Sequence, residues 1–372
     1  MKRQFISLFL FAIVFGSETH GQKLCSTPDS FVGECVERIK CSIFNLGHRR
    51  SSKYMTFLEN SKCENSDLVC CREKYIQQST AQIQQSDDVS RQASSNDDTK
   101  LNLRNCGLIN QDRISRGNQT FLGELPFMVR LEYRKADGSK QFKCGGSLVT
   151  PRYVLTAAHC ISDGLFSVRL GEHTVDMDPD CKYSPSGRRR CAPPVKDCNI
   201  EEKIKHSEFS LQKKINDIAL IRLSEPVQLN NIDYVNTICL PLDNDSTLKE
   251  DEDQLLVAGW GRDESLQTTK SLMKALIPRQ QIQKCQESFS LTDITNTNAI
   301  CAGGKDQVDT CSGDSGGPLF YKGKLYSGAR YIQYGITAAG FIHCGSLWKG
   351  ETLPALYTNV VNYVEWIKSN MH

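Results

Sequence analysis

The chain has 372 residues, more than one ordinary core accommodates, so at least two domains are expected. Its 45 Lys and Arg against 43 Asp and Glu leave a net charge of +2, which excludes a strong electrostatic pull toward nucleic acid or an anionic membrane. The 17 cysteines argue against a reducing compartment, where most would stand idle, and for a disulfide framework.

The first element is a leader. "MKRQFISLFLFAIVFGS" places Lys2 and Arg3 before an apolar run from Phe5 to Phe15. That run is too short to span a bilayer and has the layout of a secretory signal, with cleavage after Gly16 or Gly21, so residues 1–21 are read as removed. No later stretch approaches the roughly 20 apolar residues of a membrane helix, so a secreted, extracellular protein with no membrane partner is expected.

Residues 25–71 hold Cys25, Cys35, Cys41, Cys63, Cys70 and Cys71. A block this small buries little apolar surface and needs its cross-links. Six cysteines allow 15 pairings, and spacing does not choose among them. Zinc ligation is the rival reading, but no CxxC pair or spaced histidine accompanies these cysteines. Residues 72–105 are rich in Gln, Ser and Asp and lack an apolar period, so they read as a solvated, flexible linker.

From about residue 106 the pattern changes. The runs "FMVRLEY", "GGSLVT", "YVLTA", "FSVRLG", "DIALIRL", "LLVAGW", "YGITAAG" and "ALYTNV" recur between turn residues. Many short strands so bounded predict an antiparallel all-β sandwich or barrel. Val360, Val364, Ile367 and Met371 repeat with helical spacing and predict a C-terminal helix.

The chemistry is carried by three short stretches. A serine hydroxyl is a weak nucleophile near neutral pH; it needs a base, and the base needs a third group to orient it. His159 lies in "VLTAAHC", Asp217 opens "NDIALIRL", and Ser315 sits in "DTCSGDSGGP". Singly, a histidine after a strand is more often a packing residue, and an Asp before one a turn residue. Together, the order His, Asp, Ser inside a cysteine-rich β domain is one of the known triad orders. "TAAHC", "NDIAL" and "GDSGGP" resemble the signature segments of chymotrypsin-like serine proteases, over Ile114 to His372.

The resemblance implies a double antiparallel β-barrel with a C-terminal helix, and endopeptidase activity that needs no cofactor. Ser315 is then the nucleophile, His159 the general base and Asp217 its orienting acid, with the N–H groups of Gly313 and Ser315 facing the oxyanion. Asp309, six residues before Ser315, implies cleavage after Arg or Lys. Ala338, Gly340 and Ala355 line the substrate strand and pocket. Ala338 lacks a hydroxyl that would support Asp217, Ala339 lacks an aromatic wall, and Ala355 adds a methyl at the pocket. In "NQDRISRGNQT", a cut after Arg113 frees the amine of Ile114 to pair with Asp314, so a zymogen with activation segment 106–113 and protease domain 114–372 is implied. The stretch "ISRG" departs from the family pattern after Ile114.

The cysteine block resembles the clip domain of arthropod clip-domain serine proteases, including its adjacent Cys70 and Cys71. That family's connectivity implies Cys25–Cys70, Cys35–Cys63 and Cys41–Cys71. In the protease part, the resemblance implies Cys106–Cys239, Cys144–Cys160, Cys181–Cys191, Cys285–Cys301 and Cys311–Cys344, leaving Cys198 unpaired. "GEH…CAPP" and "LPALYTNV" are similar to the Grass-type clip proteases of the insect Toll pathway. "GEHTVDMDPD" resembles the family's calcium loop, with Glu172, Asp180 and the Thr174 carbonyl as ligands of a structural calcium. Asn118 and Asn244 stand in N-x-S/T sequons and are expected to carry glycans.

The implied role is a secreted protease zymogen in an extracellular cascade of innate immunity or melanisation, in the haemolymph if the source is an arthropod. Its implied partners are an upstream trypsin-like activator, a downstream zymogen or other protein substrate, and a serpin. The clip block is read as a docking or regulatory module in preference to a passive tail. The alternative is a catalytically weak homologue that scaffolds other cascade members, kept open by Ala338 and Ala339. A digestive protease would need neither clip block nor tether.

Overall fold

The computed structural model describes residues 24–26, 32–37, 61, 63, 68–71, 100–109, 119–183, 187–242, 248, 253–262, 267–304, 312–325, 328–340, 347–348 and 351–372. The chain divides into two compact units, Met1–Ser94 and Ser95–His372. Among the described residues, no helix is long and apolar enough to cross a membrane.

The first unit contains a three-stranded antiparallel sheet of β1 (Leu24–Ser26), β2 (Val32–Glu37) and β3 (Leu68–Cys71). Disulfides join Cys25 to Cys70 and Cys35 to Cys63. Cys71 is also disulfide-bonded, and Cys41 lies outside the described residues. Three short strands cannot exclude water from a core of their own, so these bonds carry much of the sheet's stability.

The second unit holds two six-stranded barrels. The first is built from β4 (Met128–Arg134), β5 (Lys140–Leu148), β6 (Tyr153–Thr156) and β7 (Leu165–Leu170), with β10 and β11 below. Between these come a hairpin, β8 (Cys181–Tyr183) and β9 (Arg189–Cys191), then β10 (Lys196–Lys205) and β11 (Ala219–Leu223). The ring closes in the order β10-β11-β6-β5-β4-β7. Its interior is filled by Leu131, Leu148, Leu155, Leu170 and Leu220, all fully buried.

The second barrel uses β12 (Gln254–Gly259), β13 (Met273–Gln280), β14 (Ala299–Gly303), β15 (Pro318–Leu325) and β16 (Gly328–Ala339). A short pair, β17 (Leu347–Trp348) and β18 (Glu351–Thr352), precedes the closing strand β19 (Pro354–Asn359). This ring runs β12-β13-β14-β19-β16-β15. Closure removes the unpaired edges that antiparallel sheets otherwise expose.

Helix α1 (Ile282–Phe289) leaves β13 and buries Ile282 and Cys285. After β19, a 3-10 turn over Val360–Tyr363 leads into α2 (Val364–Ser369). Val360, Tyr363 and Ile367 join the core of the first barrel, so the chain's last segment crosses back from one barrel to the other. Of the predicted apolar face, Val364 and Ile367 are buried on α2, Val360 is buried in the 3-10 turn before it, and Met371 follows the helix half-buried.

Residues 100–105, in the stretch read as linker, already pack on the second unit. Asn102 is buried and exchanges two hydrogen bonds with the Leu240 backbone, at 2.9 and 2.7 Å. Disulfides join Cys106–Cys239, Cys144–Cys160, Cys181–Cys191 and Cys285–Cys301. Cys198 is a free, buried thiol on β10, and burial pushes its pKa up. Cys311, Cys344, Asn118 and Asn244 lie outside the described residues.

Candidate active site

Strand register brings the first two groups together. β6 and β11 run antiparallel with Thr156 opposite Ala219. The residues just past the end of β6 and just before the start of β11 therefore emerge on the same rim. On that rim a 3-10 turn, Ala158–Cys160, carries His159. Asp217 faces it: the two are joined at 2.7 Å between His159 Nδ1 and Asp217 Oδ2, and the His159 backbone N–H donates to Asp217 Oδ1 at 2.9 Å. A proton held on Nδ1 by the carboxylate leaves Nε2 as the basic nitrogen. The Asp217 side chain is 2% exposed and the His159 side chain 21%, so the imidazole meets solvent and the carboxylate does not.

Ser315 comes from the second barrel, on the turn before β15. Gly313 sits at φ +111°, a backbone shape that glycine adopts without strain. The Ser315 carbonyl accepts from the Gly145 N–H of β5 at 2.8 Å, and the Gly316 N–H donates to Thr337 O at 2.9 Å. The turn is thus laced to both barrels. A Cβ on Gly316 would lie 2.2 Å from Thr156 Oγ1, at the end of β6, and 3.1 Å from Cys160 Sγ, the last residue of the His159 turn. Only glycine permits this approach, which packs the Ser315 turn against the turn that carries His159. Ser315 is partly exposed, and among the described residues no hydrogen bond joins its hydroxyl to His159.

Asp314 points the other way. Its Oδ1 accepts from the Gly261 N–H at 2.8 Å, just beyond β12. The turn is fastened there a second time, by Arg262 N–H to Ser312 O at 3.0 Å. Gly261 was not singled out from sequence; the only signal is a glycine on each side of Trp260 in "GWG".

Ala338 is the extra residue of a β-bulge, since the β16–β19 register shifts between Thr337 and Ala339. Such a bulge re-aims a strand beside a site. Ala338 is buried, Gly340 is exposed, and Ala355 is fully buried on β19 opposite Ala302. Asp309, Arg113 and Ile114 lie outside the described residues.

The acidic loop after β7 is crowded with arginine. Glu172 Oε2 lies 3.4 Å from Arg169 Nη1 and 3.7 Å from Arg130 Nη1. Burial raises the pKa of Glu172, and the two guanidiniums pull it back. The Arg130 guanidinium is itself buried, 4.1 Å from the Phe142 ring centroid and 5.4 Å from that of Trp260. Asp180 Oδ2 accepts from the backbone N–H groups of His173 and Thr174 at 3.2 and 3.1 Å. The Thr174 carbonyl accepts from Met177 N–H at 3.0 Å. Two other groups with metal-ligating side chains occur among the described residues: Cys25, Cys35 and Cys63, and Cys144, His159 and Cys160. In both, the sulfurs are bonded in disulfides and supply no thiolate.

Residues 114–367 match the family described as Trypsin, and residues 25–71 match the regulatory CLIP domain of proteinases. Serine protease ea of Drosophila melanogaster is 36% identical over 366 residues, spanning 93% of this chain and 90% of that protein. Phenoloxidase-activating factor 3 of Holotrichia diomphalia is 35% identical, covering 94% of each chain. Among solved structures, the Drosophila Grass clip serine protease of the Toll pathway superposes with a TM-score of 0.64. It is 30% identical, over 94% of this chain and 97% of that one.

Proposed function

The chain belongs to the trypsin family of serine proteases and carries an N-terminal CLIP domain, and from that premise we propose that it is a secreted zymogen of an extracellular proteolytic cascade. The observation that carries the catalytic part is the buried Asp217 paired to His159 at 2.7 Å, with the Ser315 turn packed against that histidine's own turn.

In this reading Ser315 Oγ attacks the substrate carbonyl carbon while His159 Nε2 takes the hydroxyl proton. The C–N bond then breaks and the same proton passes to the leaving amine. Asp217 holds the imidazole in the required tautomer and stabilises the imidazolium. Water repeats the sequence to release the acyl group. The Gly313 and Ser315 N–H groups stabilise the oxyanion. Asp309 selects Arg or Lys at the cleaved position by charge.

Activity is switched on by a cut between Arg113 and Ile114. The new amine of Ile114 pairs with Asp314, whose carboxylate is already anchored to Gly261. The Cys106–Cys239 disulfide spans the cut, so the clip part stays attached. Because the segment ends in Arg, the activator is itself trypsin-like. The names of the relatives, a phenoloxidase-activating factor and a Toll-pathway protease, support a role in melanisation or Toll signalling, with a downstream zymogen as substrate and a serpin as inhibitor.

No step passes through a metal. A calcium site needs six to eight oxygen ligands and net negative charge. Glu172 instead faces two arginines, and Asp180 faces two N–H groups. In place of the calcium expected at Glu172, Thr174 and Asp180, the reading here is that Arg130 and Arg169 supply the positive charge.

The test is hydrolysis of Arg, Lys and Phe chromogenic amides by the full chain, before and after a confirmed cut at Arg113–Ile114. Arg-selective activity that appears only on cutting, and is absent in Ser315→Ala, is the expected result. An inert cut protein would move the weight to a scaffolding homologue.

A further inference from the structure

A carboxylate can orient an imidazole only if something other than that imidazole fixes the carboxylate. Among the described residues, both oxygens of Asp217 are engaged by His159, one by its ring and one by its backbone N–H. No third donor among the described residues reaches either oxygen. The frame that fixes Asp217 must therefore act through its main chain.

That frame comes from the C-terminal segment and the residue before Asp217. Thr358 Oγ1, on β19, donates to the Asp217 carbonyl at 2.9 Å in a buried bond. Asn216 sits at φ +54°, a left-handed shape that asparagine adopts only at some cost. Its side chain is gripped at both ends: Tyr363 Oη donates to Asn216 Oδ1 at 2.8 Å, and Asn216 Nδ2 donates to Glu208 O at 3.0 Å. The Ile218 N–H then donates back to Asn216 O at 2.9 Å, which closes a three-residue turn with Asp217 at its centre. Both dihedrals of Asp217 are locked by that closure.

Tyr363 is in turn seated by aromatic packing. The His206 ring meets it edge-on with centroids 5.7 Å apart, and the same ring lies 5.3 Å from Trp366 of α2. Burial, aided by the Asp217 charge, keeps the Tyr363 hydroxyl protonated and so a donor.

We propose that Thr358 and Tyr363 are positioning residues for Asp217, acting through its carbonyl and through Asn216, so that the C-terminal segment sets the geometry of the acid–base pair. This rests on the catalytic reading above, and the experiment keeps the two apart. Each bond is a buried, neutral one, worth about 2- to 10-fold.

The experiment uses the full chain with Thr358→Val, Tyr363→Phe, the double variant, and Thr358→Ser as the conservative rescue. After the cut at Arg113, kcat on an Arg amide should fall about 2- to 10-fold in each single variant and more in the double. KM should stay within about twofold, and Thr358→Ser should recover the loss. In parallel, proton NMR follows the downfield resonance of the His159 Nδ1–H, which should shift or broaden in the double variant. That second arm needs no turnover. If the cut wild type is inert yet the resonance moves, the catalytic reading fails and the positioning role stands. A double variant whose kcat lies within twofold of wild type, or whose resonance is unmoved, overturns the proposal.

Discussion

The two barrels close in the same way, six strands each, but contribute to the site by different means. The first delivers His159 and Asp217 from the ends of two paired strands, so the register of β6 and β11 brings them to one rim. The second delivers Ser315 and Asp314 from the turn before β15, which is not itself part of a strand ladder. That turn is placed by single hydrogen bonds to Gly145, Thr337, Gly261 and Arg262, drawn from both barrels. A geometry set by strand pairing is as rigid as the barrel. A geometry set by a few loop bonds can be rearranged, which is what a zymogen's switch requires.

Substitutions should separate these halves. The largest effect belongs to the chemistry itself. Ser315→Ala or Asp217→Asn should lower turnover of the cut protein on the order of 10⁴-fold or more, with thermal stability little changed for the serine. Next is the switch. Asp314→Asn should leave the His159–Asp217 pair intact but cost on the order of 10²- to 10³-fold, the loss typical of a misplaced oxyanion donor. The NMR resonance of His159 Nδ1–H reads the first half directly. If Asp314→Asn displaced that resonance as much as Asp217→Asn does, the two halves would not be independent.

The same contrast explains what was legible in the sequence. Runs such as "YVLTA" and "DIALIRL" form β6 and β11 because their apolar residues fill the barrel, and burial writes itself into composition. β10 reads "KDCNIEEKIK", mostly half-buried or exposed, so no apolar pattern announced it. β13 carries Pro278, which argues against a central strand when read alone. α1 is only eight residues long and starts without a side-chain cap. In the site, His159, Asp217 and Ser315 were legible because each sits in a distinctive local motif. Thr358, Tyr363 and Gly261 were not: each acts through one bond to a residue distant in sequence, and an isolated residue type carries no signal of such a partner.

Away from the rim, the first barrel carries a charge cluster of Arg130, Arg169, Glu172 and Asp197. If Arg130 and Arg169 neutralise the acidic loop, adding millimolar calcium or a chelator should leave the melting temperature and Trp260 fluorescence unchanged. Glu172→Gln should strand the buried Arg130 and cost about 3 kcal/mol, the lower end for breaking a buried pair. Saturable calcium binding by the wild-type chain would reverse this assignment.

The smallest predicted effect concerns His173, which ties the segment entering the first barrel to the same loop. Its Nε2 lies 3.0 Å from the Thr120 carbonyl, so that nitrogen carries the proton, and Nδ1 is 3.0 Å from Thr174 Oγ1, which must then donate. A second proton on Nδ1 would reverse that contact, with Thr174 Oγ1 turning to accept, and place a charge in a buried site. Burial accordingly lowers the pKa of His173 from its ordinary value of 6.5. The folded state therefore takes up a proton less readily than the unfolded chain. The stability this contributes is fully present above the unfolded pKa, and is lost as pH falls from about 6.5 through the lower folded value. Denaturant melts of the wild type should lose stability over that window, and His173→Gln, which cannot be protonated, should flatten that part of the profile. The Ser315 turn, which contains no histidine, should contribute nothing to the slope there. Equal slopes in the wild type and His173→Gln would place the acid sensitivity elsewhere in the molecule.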